Sequence, residues 1–161
     1  MGMKLIYALC MIRHKEIYFS DFSCRQVYAL VEDVESYPEF LPWCSAARII
    51  KTEKNIIIAE LVIHFASMHE NYTSRITLSP PEEETSKCKI DVQLIEGPFR
   101  TLENHWYFEF DKEKKQTKIT FDIAFEFQST ILQKIIGFMF EAALMKMMKS
   151  FEGRAKEIYC D

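Results

Sequence analysis

Glycine is scarce in this chain, with four residues in 161. A phosphate cradle is built from glycines that let the backbone close on an anion, so a nucleotide loop has little to be made from. Catalytic and metal-binding signatures are missing too. His14, His64, His69 and His105 form no HxxxH or HExxH pattern, and there is no GxSxG or paired Cys-His signature. Cys10, Cys24, Cys44, Cys88 and Cys160 give an odd count without a CxxC pair, which fits neither a disulfide framework nor a zinc site. Reduced thiols in a cytoplasmic protein are the expectation. No apolar run approaches the ~20 residues of a membrane span. A basic excess is also lacking: 20 Lys and Arg stand against 24 Asp and Glu, for a net charge of -4. That argues against a DNA binder, because phosphate neutralisation needs a basic face.

What is abundant is apolar and aromatic. Hydrophobic residues make up 48% of the chain, with 13 Phe, 7 Tyr, 2 Trp and 8 Met. The length suits one globular domain with one core. Residues 1–10 (MGMKLIYALC) read as a tail: their apolar stretch is at the short edge for a secretion signal and no A-x-A-like site follows. Met11 is the expected functional start, and residues 11–160 the single domain.

Residues 11–19 read as a strand broken by Ser20 and Asp21. Ser23 is a suitable N-cap for a helix to about Val34, with Val27, Leu30, Val31 and Val34 on one face. A shorter helix carries Tyr37, Phe40 and Leu41, with Pro38 in its first turn and Pro42 limiting its extension. From Ser45 the period changes to two. Strands are expected over 46–53, 56–67, 68–79, 86–95, 101–110 and 116–128, with a tight Lys54-Asn55 turn and a solvent loop at Pro80, Pro81 and a Glu run. In 116–128, Ile119, Phe121, Ile123, Phe125 and Phe127 alternate with more polar residues, as in a half-buried antiparallel strand. A long helix over 129–159 closes the chain, with Ile135, Ile136, Met139, Ala143, Lys146, Met147 and Phe151 on its apolar stripe.

The order is one strand, two short helices, six strands and one long helix: an α+β arrangement with a seven-stranded antiparallel sheet. One helix cannot cover seven strands held flat, so the sheet must curl around it. Curling leaves room between the concave face and the helix. Trp43, Phe65, Tyr72, Trp106, Phe108, Phe121, Phe125, Ile135 and Met139 are the candidate wall of that room, with core filling as the plain alternative for each. At the Gly97-Pro98 turn, an exposed Phe99 beside Arg100 would gate the cavity or touch a membrane; Phe99 folded onto the sheet is the alternative. Lys146, near the apolar stripe, is a candidate cap for the cavity mouth.

The segment Tyr37-Pro38-Glu39-Phe40-Leu41-Pro42-Trp43-Cys44, followed by Ala47-Arg48-Ile49, resembles the N-terminal signature of the coenzyme Q-binding START-like proteins. These are also called the RatA-type or polyketide cyclase/dehydrase-like family, of the SRPBCC superfamily. Leu94-x-Glu96-Gly97-Pro98-Phe99-Arg100-x-Leu102, then Trp106-x-Phe108, is similar to the same family. So is the Phe121-to-Phe127 strand leading into the terminal helix. The resemblance spans about residues 11–160. It implies a bacterial helix-grip domain with a hydrophobic cavity. It also implies a non-catalytic role, binding ubiquinone and supporting respiratory electron transport, with partners at the membrane surface and in the respiratory complexes. One branch of the family is instead assigned as a toxin that hinders ribosomal subunit association. No catalytic residue transfers.

Three functional expectations follow. The first is a cytoplasmic carrier of ubiquinone or a similar isoprenoid lipid, peripheral on the inner face of the membrane, with no catalytic cofactor or metal. The second is a ribosome-associating inhibitor of translation, which needs a local basic surface; Arg13-His14-Lys15 and Lys112-Lys114-Lys115 are the candidates. The third is an enzyme acting on an aromatic polyketide. It needs an inward polar group, and Tyr72 is the one to test.

Overall fold

The computed structural model describes residues 11–65, 67–82 and 87–160. The tail over residues 1–10, and most of the Glu run after Pro81, lie outside the described residues. The chain runs β1 (Ile12–Ser20), α1 (Cys24–Glu32), a 3-10 turn (Val34–Ser36), α2 (Tyr37–Phe40), β2 (Cys44–Glu53) and β3 (Ile56–Phe65). It continues through β4 (Met68–Ser79), β5 (Lys87–Glu96), β6 (Phe99–Asp111), β7 (Gln116–Phe127) and α3 (Thr130–Tyr159). All neighbours are antiparallel, in the order β1-β7-β6-β5-β4-β3-β2. The expected seven-stranded sheet, long terminal helix and two short helices are therefore all present.

Local chemistry sets the boundaries. The Ser23 hydroxyl accepts from the Gln26 backbone N–H at 3.2 Å, and the Gln26 side chain accepts from the Ser23 N–H at 2.9 Å. This reciprocal cap satisfies two of the free donors at the start of α1. α1 stops at Glu32, two residues before the expected end, and Val34 moves into the 3-10 turn. The Tyr37 hydroxyl reaches back to donate to the Val31 carbonyl, holding the end of α1 against α2. The β2–β3 turn falls at Lys54-Asn55, with Lys54 in the left-handed region at φ 54°.

Alternation sorts the strands as their sequence demands. Ile57, Ala59, Leu61 and Ile63 of β3 are buried, while His64 is exposed. On the convex face, His105 Nδ1 lies 2.6 Å from Asp91 Oδ1. Burial works against the Asp91 carboxylate, but hydrogen bonds from His105 and Lys89 outweigh it and hold Asp91 below the ordinary range.

α1 packs on the central strands β5 and β6. Its Cys24 Sγ lies 2.9 Å from Cys88 Sγ of β5, and both are buried. Tyr28 packs its ring edge-on to Phe108 at 5.9 Å, and its buried hydroxyl has no hydrogen-bond partner among the described residues. An unmet buried hydroxyl costs desolvation without return. Tyr28→Phe should therefore leave the fold intact and hold or raise stability, by up to about 1 kcal/mol, in a denaturant titration. A net loss would mean that the hydroxyl has a partner after all.

The second half of α3 is tied down. Arg154 lies 2.6 Å from Glu39 of α2, and its guanidinium is 5.4 Å from the centre of the Phe40 ring. The Tyr159 hydroxyl donates to the Gln26 carbonyl at 3.1 Å. Phe151 packs edge-on to Tyr37, Phe40 and Trp106 at 5.7, 5.2 and 5.4 Å. Among the described residues, no helix is long and apolar enough to cross a membrane.

Candidate functional site

A cavity of about 200 Å³ lies between the concave face and the inner side of α3. Strands β3 to β7 supply its curved wall, α3 its roof, and Val31, Val34, Tyr37, Leu41 and Trp43 of the helical segment complete the lining. Trp43, Phe65, Tyr72, Trp106, Phe121 and Phe125, all singled out in the sequence, stand in this wall.

Phe108, Ile135, Met139 and Lys146 sit elsewhere than expected, while Phe99 takes its alternative, folded onto the sheet. Phe108 lies on the inward face of β6 but outside the cavity, because Tyr28 of α1 fills the space over it. Ile135 and Met139 are 41% and 39% exposed, on the outer side of α3. The inner side is formed by Ile136, Phe140, Ala143, Leu144, Met147 and Phe151. The first half of α3 is apolar on both sides, so hydrophobicity alone did not set its rotation. Lys146 is exposed and does not line the cavity. Phe99 is no exposed gate: β6 begins at this residue, which is buried in the wall, stacked on Phe127 at 4.6 Å and edge-on to Tyr72 at 5.6 Å. Its neighbour Arg100 points the other way and lies 3.7 Å from Glu126.

Polar groups on the wall are few. Asn104 is already used: its Oδ1 accepts from Trp106 Nε1 at 2.9 Å, and its Nδ2 donates to the Asp122 carbonyl at 3.1 Å. Ser74 is 1% exposed. Tyr72 is a candidate donor, beside the Ser74 hydroxyl and the Trp43 indole N–H in the same wall. Burial, and secondarily the nearby Cys44, push its hydroxyl well above the ordinary value, so it stays protonated and able to donate. Sequence reasoning passed over Ser74 and Asn104, although inward alternation with Ile76 and Trp106 marks them.

Tyr72 is positioned by Gly97. At φ +154°, Gly97 adopts a conformation that L side chains rarely take, and a Cβ there would stand 2.6 Å from Tyr72 Cβ. Gly97→Ala should destabilise the domain by about 2–4 kcal/mol. Thermal melting should show this as a drop of roughly 5–15 °C. An unchanged midpoint would mean that the hairpin relaxes freely.

Curved sheet, gripping helix and an apolar hollow with sparse hydrogen-bonding groups define a helix-grip domain of the START-like class. The chain matches the model of the family "Polyketide cyclase / dehydrase and lipid transport" over residues 20–152. It belongs to that family. It is 40% identical over 134 residues to the ribosome association toxin RatA of Rickettsia prowazekii, covering 83% of this chain and 89% of that one. It is 30% identical over 150 residues to the coenzyme Q-binding protein COQ10 homolog B, mitochondrial, of Xenopus laevis, covering 92% of this chain and 59% of that protein. Among solved structures, the Zhui aromatase/cyclase from Streptomyces sp. R1128 superposes with a TM-score of 0.78 over 93% of this chain and 97% of that one. At 14% identity, that likeness concerns the fold alone.

Proposed function

We propose that this chain binds ubiquinone or a similar isoprenoid quinone in the cavity without transforming it, and so supports respiratory electron transport. The observation that carries the proposal is the unfilled apolar volume behind α3, lined by aromatic rings and by Tyr72. Removing apolar surface from water is worth about 25 cal/mol per Å², which favours a greasy ring in this space over solution. The Tyr72 hydroxyl is suited to donate to a quinone carbonyl. At about 200 Å³ the cavity is below the ~300–1,000 Å³ of pockets that engulf a drug-sized ligand. A head group enters; a long tail trails out. The relative named for coenzyme Q binding agrees with this reading.

Protein purified from cells should yield an organic-extractable quinone by mass spectrometry, and calorimetry should register binding of a short-chain ubiquinone. Absence of both ends the proposal. Tyr72→Phe should weaken that binding about five- to tenfold, the worth of one hydrogen bond, with the quinone recovered chemically unchanged. Recovery of a converted product would instead make this an enzyme.

A second reading, association with the ribosome, is favoured by the relatives named for it. Arg13 and Lys15 project outward from edge strand β1, and Lys112, Lys114 and Lys115 are exposed in the β6–β7 turn. His14 turns inward instead, with Nε2 2.8 Å from Glu16 Oε1. Sucrose-gradient profiles separate the readings: a loss of joined subunits on adding protein, relieved by Arg13→Glu with Lys15→Glu, supports the ribosome, and unchanged profiles exclude it.

A further inference from the structure

The first half of α3 carries a second apolar row, on the side facing away from the sheet. Ile131, Phe138 and Met145 are 70%, 92% and 58% exposed, and Ile135 at 41% lies in line with them. Ala142 completes the row. Steps of three and four residues put all five on one strip of the helix. The inner strip belongs to the cavity, and none of the described residues buries this outer row. A contiguous apolar strip of this kind marks a surface that something covers.

Charge indicates what covers it. From Thr130 to Lys149 the charged residues are Lys134, Lys146 and Lys149 against the single Glu141, a local cationic excess on a chain whose net charge is -4. Past Lys149 the same side of the helix turns polar, with Glu152, Lys156 and Glu157 exposed. An apolar strip flanked by lysines is the pattern of a helix lying in the headgroup boundary of an anionic bilayer. A second copy of the chain fits less well. Fifteen residues of helix span about 22 Å, and a strip about 10 Å wide offers roughly 220 Å² against the ~800 Å² per partner of a stable interface.

We propose that the outer face of α3, residues 131–145, docks on an anionic phospholipid bilayer. The helix that roofs the cavity then separates it from lipid rather than from water, and a tail too long for the cavity has the bilayer to lie in. That purpose rests on the quinone reading above; the docking itself does not.

Flotation of the full chain with vesicles of phosphatidylcholine, with or without phosphatidylglycerol, tests it. Binding should appear with the anionic vesicles. It should fall at least about tenfold for Phe138→Asp with Ile131→Asp, and for the milder Phe138→Ser in the same direction. Lys134→Gln and Lys146→Gln should each cost roughly fivefold. Short-chain ubiquinone affinity measured without vesicles should be unchanged in the Phe138 variants. Wild-type protein that ignores both vesicle types overturns the docking. So does a solution dimer that Phe138→Asp splits, because the face then belongs to a second copy. Vesicle binding without quinone binding overturns the ligand reading and leaves the docking standing.

Discussion

Replacing Ala143 by phenylalanine is expected to abolish quinone binding while the domain stays folded. Ala143 lies on the inner side of α3 and lines the cavity. A ring projecting from it occupies the space of about 200 Å³ that a ligand ring requires. Affinity for a short-chain ubiquinone should fall at least about 100-fold, or about 2.7 kcal/mol. Stability should change far less, because a ring entering unfilled space replaces a void rather than displacing neighbours; a gain of about 0.5–2 kcal/mol is ordinary for cavity filling. Calorimetric titration beside a thermal melt reads both. Full binding by the filled variant would put the ligand somewhere else on the molecule.

Phe151→Ala is expected to be the most destabilising single change in the helix grip. Its ring packs on Tyr37, Phe40 and Trp106, joining α3 to α2 and to the centre of the sheet. Truncation of a buried Phe costs about 3–5 kcal/mol through lost transfer energy and the void left behind. A melt should drop by roughly 10 °C or more. Ile135→Ala, on the same helix but 41% exposed, is the control and should move stability by no more than about 0.5 kcal/mol. Equal effects from the two would mean that the helix sits in a different rotation.

The rotation of α3 is also where sequence reasoning met its limit. Strand faces were readable because period two leaves only two choices: Ile57 to Phe65 and Ile119 to Phe127 had to share a side, and they do. A helix is readable only when one side is polar. In the first half of α3, Ile135 and Met139 on the outside are as apolar as Ile136 and Phe140 on the inside, so the exposed apolar side masked the one that faces the cavity. The turn at Gly97 was visible from its residue types. The direction of Phe99 was not, since it depends on β6 beginning one residue after Pro98 and on a register irregularity between Phe99 and Thr101. Phe108 is inward in either reading; what keeps it from the cavity is Tyr28, a neighbour 80 positions earlier that no local pattern links to it. Trp43 and Tyr72, by contrast, were findable as large aromatic residues, Tyr72 on a strand where it alternates in step with Ile76 and Leu78.

Both tryptophans of the chain, Trp43 and Trp106, stand in the cavity wall. Indole emission from this protein therefore originates only where a ligand would sit, with no remote tryptophan to dilute it. A quinone accepts an electron from an excited indole, so filling the site with ubiquinone should darken the protein, whereas a saturated lipid of similar size should shift the emission colour without extinguishing it. The chain carries its own optical gauge of occupancy, and that gauge distinguishes a redox-active guest from an inert one.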